Sequence, residues 1–152
     1  MKYQIIDRYT GGRNDTIITD GKKMVADRHG EAYGISVPVK KIHRLQDKII
    51  GTAGCQAFSY RLLEWYKRGA KIEEMPDPDG TGYDMLVISE DGIEALFKHG
   101  FVGIDYPFFA IGSGADFALT AAHLGNSLEK SVEIASELDH SSGRGFDVEA
   151  LK

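Results

Sequence analysis

The sequence predicts an α+β domain in which two antiparallel sheets lie face to face with helices over their outer faces. Strand-length apolar runs come in pairs joined by turn residues, and amphipathic helical stretches fall between and after those pairs. The chain has 152 residues, 42 % of them hydrophobic, which suits one domain with a core of ordinary size. Strand groups separated by helices that can cover both outer faces give a layered α+β arrangement.

Each element has a local reason. Thr16-Ile17-Ile18-Thr19 and Met24-Val25-Ala26 flank Asp20-Gly21, and Asp-Gly between such runs signals a hairpin because both turn positions need positive φ. A second hairpin is predicted from Val37 to Leu45 and Lys48 to Ala53 across Gln46-Asp47, with Pro38 near the start of its strand, where a missing amide donor matters least. Gln56 to Arg68 places Phe58, Leu62, Trp65 and Tyr66 on one helical stripe, and Gly69 supplies a left-handed stop. Lys71 to Tyr83 is a short acidic connection punctuated by Pro and Gly, unable to sustain a long helix. Met85 to Ile88 and Ile93 to Phe97 form a third pair around Asp91-Gly92. Ala115 to Leu124 is a second helix ending at Gly125-Asn126. Ser127 caps a third, reaching about Leu138, with Leu128, Val132, Ala135 and Leu138 inward. A terminal strand is expected near Phe146 to Val148. No internal repeat and no linker marks a second domain.

Composition mostly excludes functions. A single Cys forms no internal disulfide, which points to an intracellular, by default cytoplasmic, setting. No apolar run approaches the ~20 residues of a membrane span, and Met1 to Gly12 reads as neither signal peptide nor anchor. With 23 acidic against 18 basic residues, a net charge of -5 and no basic cluster, nucleic acid is not an expected partner, nor is a membrane. Lys40-Lys41-Ile42-His43-Arg44, the densest basic stretch, alternates like a strand. Glycine is abundant, 18 residues, which in a folded chain means turns and close approaches.

Several local patterns resemble sites and are better read as structure. Asp27-Arg28-His29 lacks the paired spacing of a metal site and reads as a solvated loop. Asp77 to Asp84 lacks the bidentate Glu of a calcium loop, Ile88 standing at its twelfth position. Cys55 reads as a small buried hydrophobe in a Gly-rich turn before a helix. Ile111-Gly112-Ser113-Gly114 is not the nucleophile elbow, and a Ser ahead of a helix is commonly its cap. No cofactor or metal is expected.

The order of these segments is more specific than any one of them. Val25-Ala26-Asp27-Arg28, then Val39 to Leu45, then Ala53-Gly54-Cys55 opening a helix, then Ala110-Ile111-Gly112-Ser113-Gly114-Ala115-Asp116-Phe117-Ala118-Leu119, and finally Leu138-Asp139-His140-Ser141-Ser142-Gly143 resemble the proteasome β-subunit and HslV peptidase family. The likeness runs from about Asp15 to Leu151 and is strongest to the short proteasome-like proteins of bacteria and phages.

The resemblance implies an N-terminal-nucleophile hydrolase fold, a four-layer αββα sandwich of two antiparallel sheets, here with the second long helix trimmed. It divides the chain into an N-terminal extension, 1–14, and a single domain, 15–152. It further implies a self-assembling ring, an ATP-dependent unfoldase as a partner, peptide or unfolded protein as substrate, and a Thr at the mature N-terminus as nucleophile. On the family's motifs Lys41 falls beside the nucleophile to lower the pKa of its hydroxyl, and Asp27 orients that ammonium. The Gly54 amide would stabilise an oxyanion, Gly allowing close approach of a carbonyl. Ser113, Asp139 and Ser142 would surround the terminal amine; taken alone, they also read as a helix cap and an Asp-initiated turn.

Short relatives begin Met-Thr-Thr-Ile and pass through an Asp-Gly turn to Ala-Asp. Laid on that pattern, Asp15 stands where the nucleophilic Thr would be. Thr16 is one residue out of register, which in a strand turns its side chain to the other face. The expectation is therefore a proteasome-like chain without threonine proteolysis. The alternatives are a threonine-type endopeptidase matured by N-terminal processing and a non-catalytic peptide-binding scaffold.

Overall fold

A computed structural model describes residues 15–152; the extension expected over 1–14 lies outside the described residues. In chain order the elements are β1 (Ile17–Thr19), β2 (Lys23–Asp27), β3 (His29–Ala32), β4 (Ile35–Pro38), β5 (Ile42–Leu45), β6 (Lys48–Gly54), α1 (Gln56–Lys67) and a 3-10 turn (Ile72–Glu74). They continue with β7 (Tyr83–Ser89), β8 (Gly92–Phe97), β9 (Gly100–Ile104), β10 (Phe109–Ile111), α2 (Ala115–His123), α3 (Leu128–Leu138) and β11 (Phe146–Ala150).

Alternation within β1 sorts the layers. Successive strand side chains leave opposite faces, so Ile17 joins Met24, Ala26 and Ile111 between the sheets, while Ile18 joins Val25 and Ala110 beneath helices. One sheet has the order β10-β1-β2-β11 and the other β5-β6-β7-β8-β9, with every pairing antiparallel. Ile42, Ile49, Leu86, Ile88 and Ile93 complete the inter-sheet core.

On the outer face of the first sheet lie α2 and α3, through Ala118, Ala122, Leu128, Val132 and Ala135. The Ser127 hydroxyl caps α3 by accepting from the Lys130 amide at 3.1 Å. On the outer face of the second lies α1, burying Phe58, Leu62 and Trp65 against Ile50, Met85 and Val87. Its stop is Gly69 at φ +113, and the Trp65 indole donates to the Lys71 carbonyl at 2.8 Å, tying the departing chain back to the helix. The four-layer α+β architecture is as expected, and Lys71 to Tyr83 holds only the 3-10 turn where a long second helix would run.

Several boundaries differ from the sequence reading. Val37 and Leu45 do not share a strand: β3 and β4 make a separate two-stranded sheet, and Pro38 ends β4 opposite His29 instead of starting a strand. Asp27-Arg28-His29 is not a solvated loop, because Asp27 ends β2 fully buried and His29 opens β3. The β7–β8 turn is Glu90-Asp91, with Gly92 already paired to Ser89. Cys55, expected buried, is half-buried ahead of α1. Leu138, expected inward, is exposed as the last residue of α3, while Leu128, Val132 and Ala135 of the same stripe are buried. Three strands gave no readable signal: β3, β9 and β10 are short or Gly-interrupted. Phe101 secures β9 by stacking on Trp65 with centroids 6.2 Å apart.

Candidate functional site

All seven predicted residues meet at one end of the sandwich. Asp15 precedes β1, Asp27 ends β2, Lys41 precedes β5 and Gly54 ends β6, while Ser113 follows β10 and Asp139 and Ser142 lie just beyond α3. The shared end follows from the topology. Antiparallel strands alternate in direction, so the start of β1 and the end of β2 are neighbours, as are the start of β5 and the end of β6.

The centre is a buried cluster of one cation and two carboxylates. Lys41 and Asp27 are fully buried and Asp15 is 2 % exposed. Lys41 Nζ donates to Asp27 Oδ1 at 2.8 Å and is in ion-pair contact with Asp15 Oδ1. Asp27 is heavily solvated by backbone: Oδ1 accepts from Thr16 N at 2.8 Å, and Oδ2 from Gly143 N at 2.9 Å and His29 N at 3.1 Å. That donor set lets a carboxylate exist without water. Asp15 has less support. Its Oδ2 accepts from the Gly54 amide at 2.6 Å, and burial outweighs this bond and the Lys41 charge, pushing its pKa up to about 6.

A second network holds the backbone of Asp15. Its amide donates to Ser113 Oγ at 3.2 Å, and its carbonyl accepts from Gly114 N at 3.0 Å. Ser113 and Ser142 both donate to Asp139 Oδ2, at 2.6 and 2.7 Å. With the Ser142 proton committed there, the 2.7 Å contact between Thr16 Oγ1 and Ser142 Oγ has Thr16 as donor. Ser113 is thus no helix cap: Gly114 occupies that position, without a side-chain bond.

Thr16 sits on the far side of the strand from Asp15, in accord with the two-residue repeat. Asp15 reaches Lys41 and Gly54, whereas Thr16 reaches Ser142. The sequence reading left out this bond of Thr16 and the amides of Gly143 and His29 that hold Asp27. Only the one-residue offset of Thr16 was a usable signal, since backbone donors carry none in their side chains. Gly54 also has a further reason to be glycine: its φ is +112, and a Cβ there would strike the Gly82 carbonyl.

The chain has the fold of HslV. Over 91 % of this chain and 98 % of that one, it superposes on HslV from Trypanosoma brucei with a TM-score of 0.69 at 23 % identity. It likewise matches Thiobacillus denitrificans BPH, solved in complex with epoxomicin, with a TM-score of 0.63 at 20 % identity over 91 % and 98 % of the two chains. Anbu, an ancestral beta-subunit from Yersinia bercovieri, gives a TM-score of 0.68 at 12 % identity over 90 % and 81 %. No protein-family model and no curated protein matches the sequence. The α+β sandwich is therefore of the proteasome type, as the motif order implied.

Other candidates carry less. A cleft of about 900 Å³ opens at the opposite end, lined among others by Asp20, Arg44, Asp47, Glu90 and Tyr106, and includes none of the seven residues. Among the described residues no cluster of three metal-ligating side chains occurs, and no helix is long and apolar enough to cross a membrane.

Proposed function

We propose that the chain is a ring-forming, proteasome-like protein whose peptidase site is filled by its own Asp15 and does not cleave peptides. The observation that carries this is the hydrogen bond from the Gly54 amide to Asp15 Oδ2 at 2.6 Å, made while the other carboxylate oxygen faces Lys41. One side chain thus takes both the place assigned to a nucleophile and the donor assigned to an oxyanion. A substrate carbonyl has neither an attacking hydroxyl nor a vacant donor.

Two further features support the reading. The Asp15 nitrogen is an internal amide bonded to Ser113, so it cannot manage a proton as a terminal amine would. The Thr16 hydroxyl is turned toward Ser142 and is held there as a donor. Cleavage ahead of Thr16 would leave its side chain on the face opposite Lys41. The ring is proposed from the likeness to HslV and BPH, and with it a peptide or unfolded chain as the ligand class.

The test is incubation of the pure protein with a panel of fluorogenic peptides and with epoxomicin, followed by intact mass spectrometry. No turnover and no adduct are expected; covalent labelling of any Thr refutes the proposal. Native mass spectrometry of the same sample reads the assembly, and a monomer alone removes the ring.

A further inference from the structure

We propose that Lys41 and Asp15 become covalently joined by an isopeptide bond, the Lys41 amine condensing with the Asp15 carboxyl with loss of one water while Asp27 relays the proton. The site brings together an amine, a carboxyl, a second carboxylate against the amine and an amide donor against the carboxyl, all excluded from solvent. Lys41 Nζ already touches Asp15 Oδ1 and lies 2.8 Å from Asp27 Oδ1, and Gly54 N lies 2.6 Å from Asp15 Oδ2.

Burial favours the uncharged reactants. Exchange of one proton turns the ammonium and carboxylate of Lys41 and Asp15 into an amine and a carboxylic acid, and a site without water penalises the ionic form. Burial already holds the Asp15 carboxyl at about 6, so the acid is accessible near neutral pH. Asp27 Oδ1 lies 2.8 Å from Lys41 Nζ, within reach of the proton the amine must shed, and three backbone amides hold its carboxylate in place.

The chemistry then balances from these groups. The Lys41 lone pair forms the Nζ–Cγ bond, and the electron pair of the Cγ–Oδ2 double bond moves onto Oδ2, where the Gly54 amide donates to the new oxyanion. Asp27 takes the proton from the cationic nitrogen. It returns that proton to the Oδ1 hydroxyl, the Cγ–Oδ1 bond breaks, water leaves, and the carbonyl to Oδ2 re-forms. The product is a neutral secondary amide beside an Asp27 carboxylate, with the same net charge as before. Holding amine and carboxyl in contact removes the association entropy that makes amide formation slow in solution. The inference concerns bond formation within one chain and does not depend on a ring.

Intact mass spectrometry of the full-length protein, after days in native buffer at about pH 5 to pH 8, is the test. The expected chain is lighter by one water, and proteolytic digestion releases a branched peptide joining the Asp15 and Lys41 segments. A chain of unmodified mass overturns the proposal. So does a water loss confined to a linear peptide, as a succinimide at Asp20-Gly21 or Asp91-Gly92 would give. Asp15→Ala and Lys41→Arg are expected to keep full mass. Asp27→Asn, checked for folding by circular dichroism, is expected to form the branched peptide at least tenfold more slowly; formation at the wild-type rate in that variant overturns the assigned relay.

Discussion

Replacing Lys41 by Met removes the cation and keeps much of the volume, leaving Asp15 and Asp27 buried together without a counter-charge. Breaking a buried pair by removing one partner costs about 3–5 kcal/mol, and here the cost falls unevenly. Asp27 keeps the amides of Thr16, His29 and Gly143, whereas Asp15 keeps only that of Gly54. Asp15 is therefore the group expected to change its protonation. Burial already raises its pKa from 3.8 to about 6 against the opposing pull of the Lys41 charge and hydrogen bond, and without Lys41 it rises further.

The pH dependence follows from that direction. A carboxyl whose folded pKa lies above its unfolded value binds more protons when folded, so stability falls as pH rises from the unfolded pKa to the folded one. The slope is about 1.4 kcal/mol per pH unit. In the wild type the loss runs from about 4 to about 6 and then stops. In Lys41→Met it continues, so that between about pH 6 and pH 8 the variant loses roughly 3 kcal/mol relative to the wild type. Urea unfolding followed by fluorescence of Trp65, the single Trp and a buried one, reads both proteins at both pH values. The corresponding drop in Tm near pH 8 is roughly 6–12 °C. Restoring neutrality with Asp15→Asn in the same chain is expected to recover most of the deficit at the higher pH. A deficit below about 1 kcal/mol near pH 8, or one independent of pH, refutes the assignment of Asp15 as the strained charge. Both proteins are read on chains whose intact mass is unmodified, since a wild-type chain joined through a Lys41–Asp15 amide has no Asp15 carboxyl left to titrate and would lack the wild-type loss between about 4 and about 6.

Three other outcomes are expected. Gly54→Ala meets both a left-handed backbone and the Gly82 carbonyl, whereas Gly125→Ala at φ +102 meets open space; the second should cost about 1 kcal/mol in urea unfolding and the first at least about twice that. Thr16→Val removes one buried donor and leaves Ser142 bonded to Asp139, for about 1 kcal/mol, while Ser142→Ala strands the Thr16 hydroxyl and should cost more in the same measurement. Leu62→Ala opens a void beneath α1 among Ile50, Met85 and Val87 and should cost about 2–5 kcal/mol.

Patterns that repeat along the chain were the legible ones. The β1–β2 hairpin, the stripe of α1 with its Gly69 stop and the Ser127 cap are each set by neighbours within a few residues, and each forms. In the hairpin, however, only Gly21 and not Asp20 takes a positive φ, and the connection runs on through Lys22 before Thr19 pairs with Met24. What could not be read depended on distant partners. The run from Val37 to Leu45 breaks at residues 39–41 because Val39 N bonds to the Arg28 carbonyl and Thr52 N bonds to the Lys41 carbonyl, which divides the run between two sheets. Strand β10 has three residues, and its pairing with β1 holds it. Leu138 satisfied the helical repeat, but a repeat does not show which of its positions the fold covers.

The candidate site divides along the same line. The resemblance to the proteasome β-subunit and HslV family, carried by the order of the motifs, singled out Asp15, Asp27, Lys41, Gly54, Ser113, Asp139 and Ser142, and the two-residue repeat put Thr16 on the face away from Asp15. Sequence could not show that the Asp15 carboxylate spans Lys41 and the Gly54 amide, nor that Asp27 is held by the amides of Thr16 and Gly143 together with that of its near neighbour His29. The decisive contacts join residues far apart in the chain, 39 residues between Asp15 and Gly54 and 116 between Asp27 and Gly143. Residue identity sets which charges and hydrogen-bonding groups exist. Only tertiary packing removes the water between them, and burial is what raises the Asp15 pKa and gives one carboxylate control of the site.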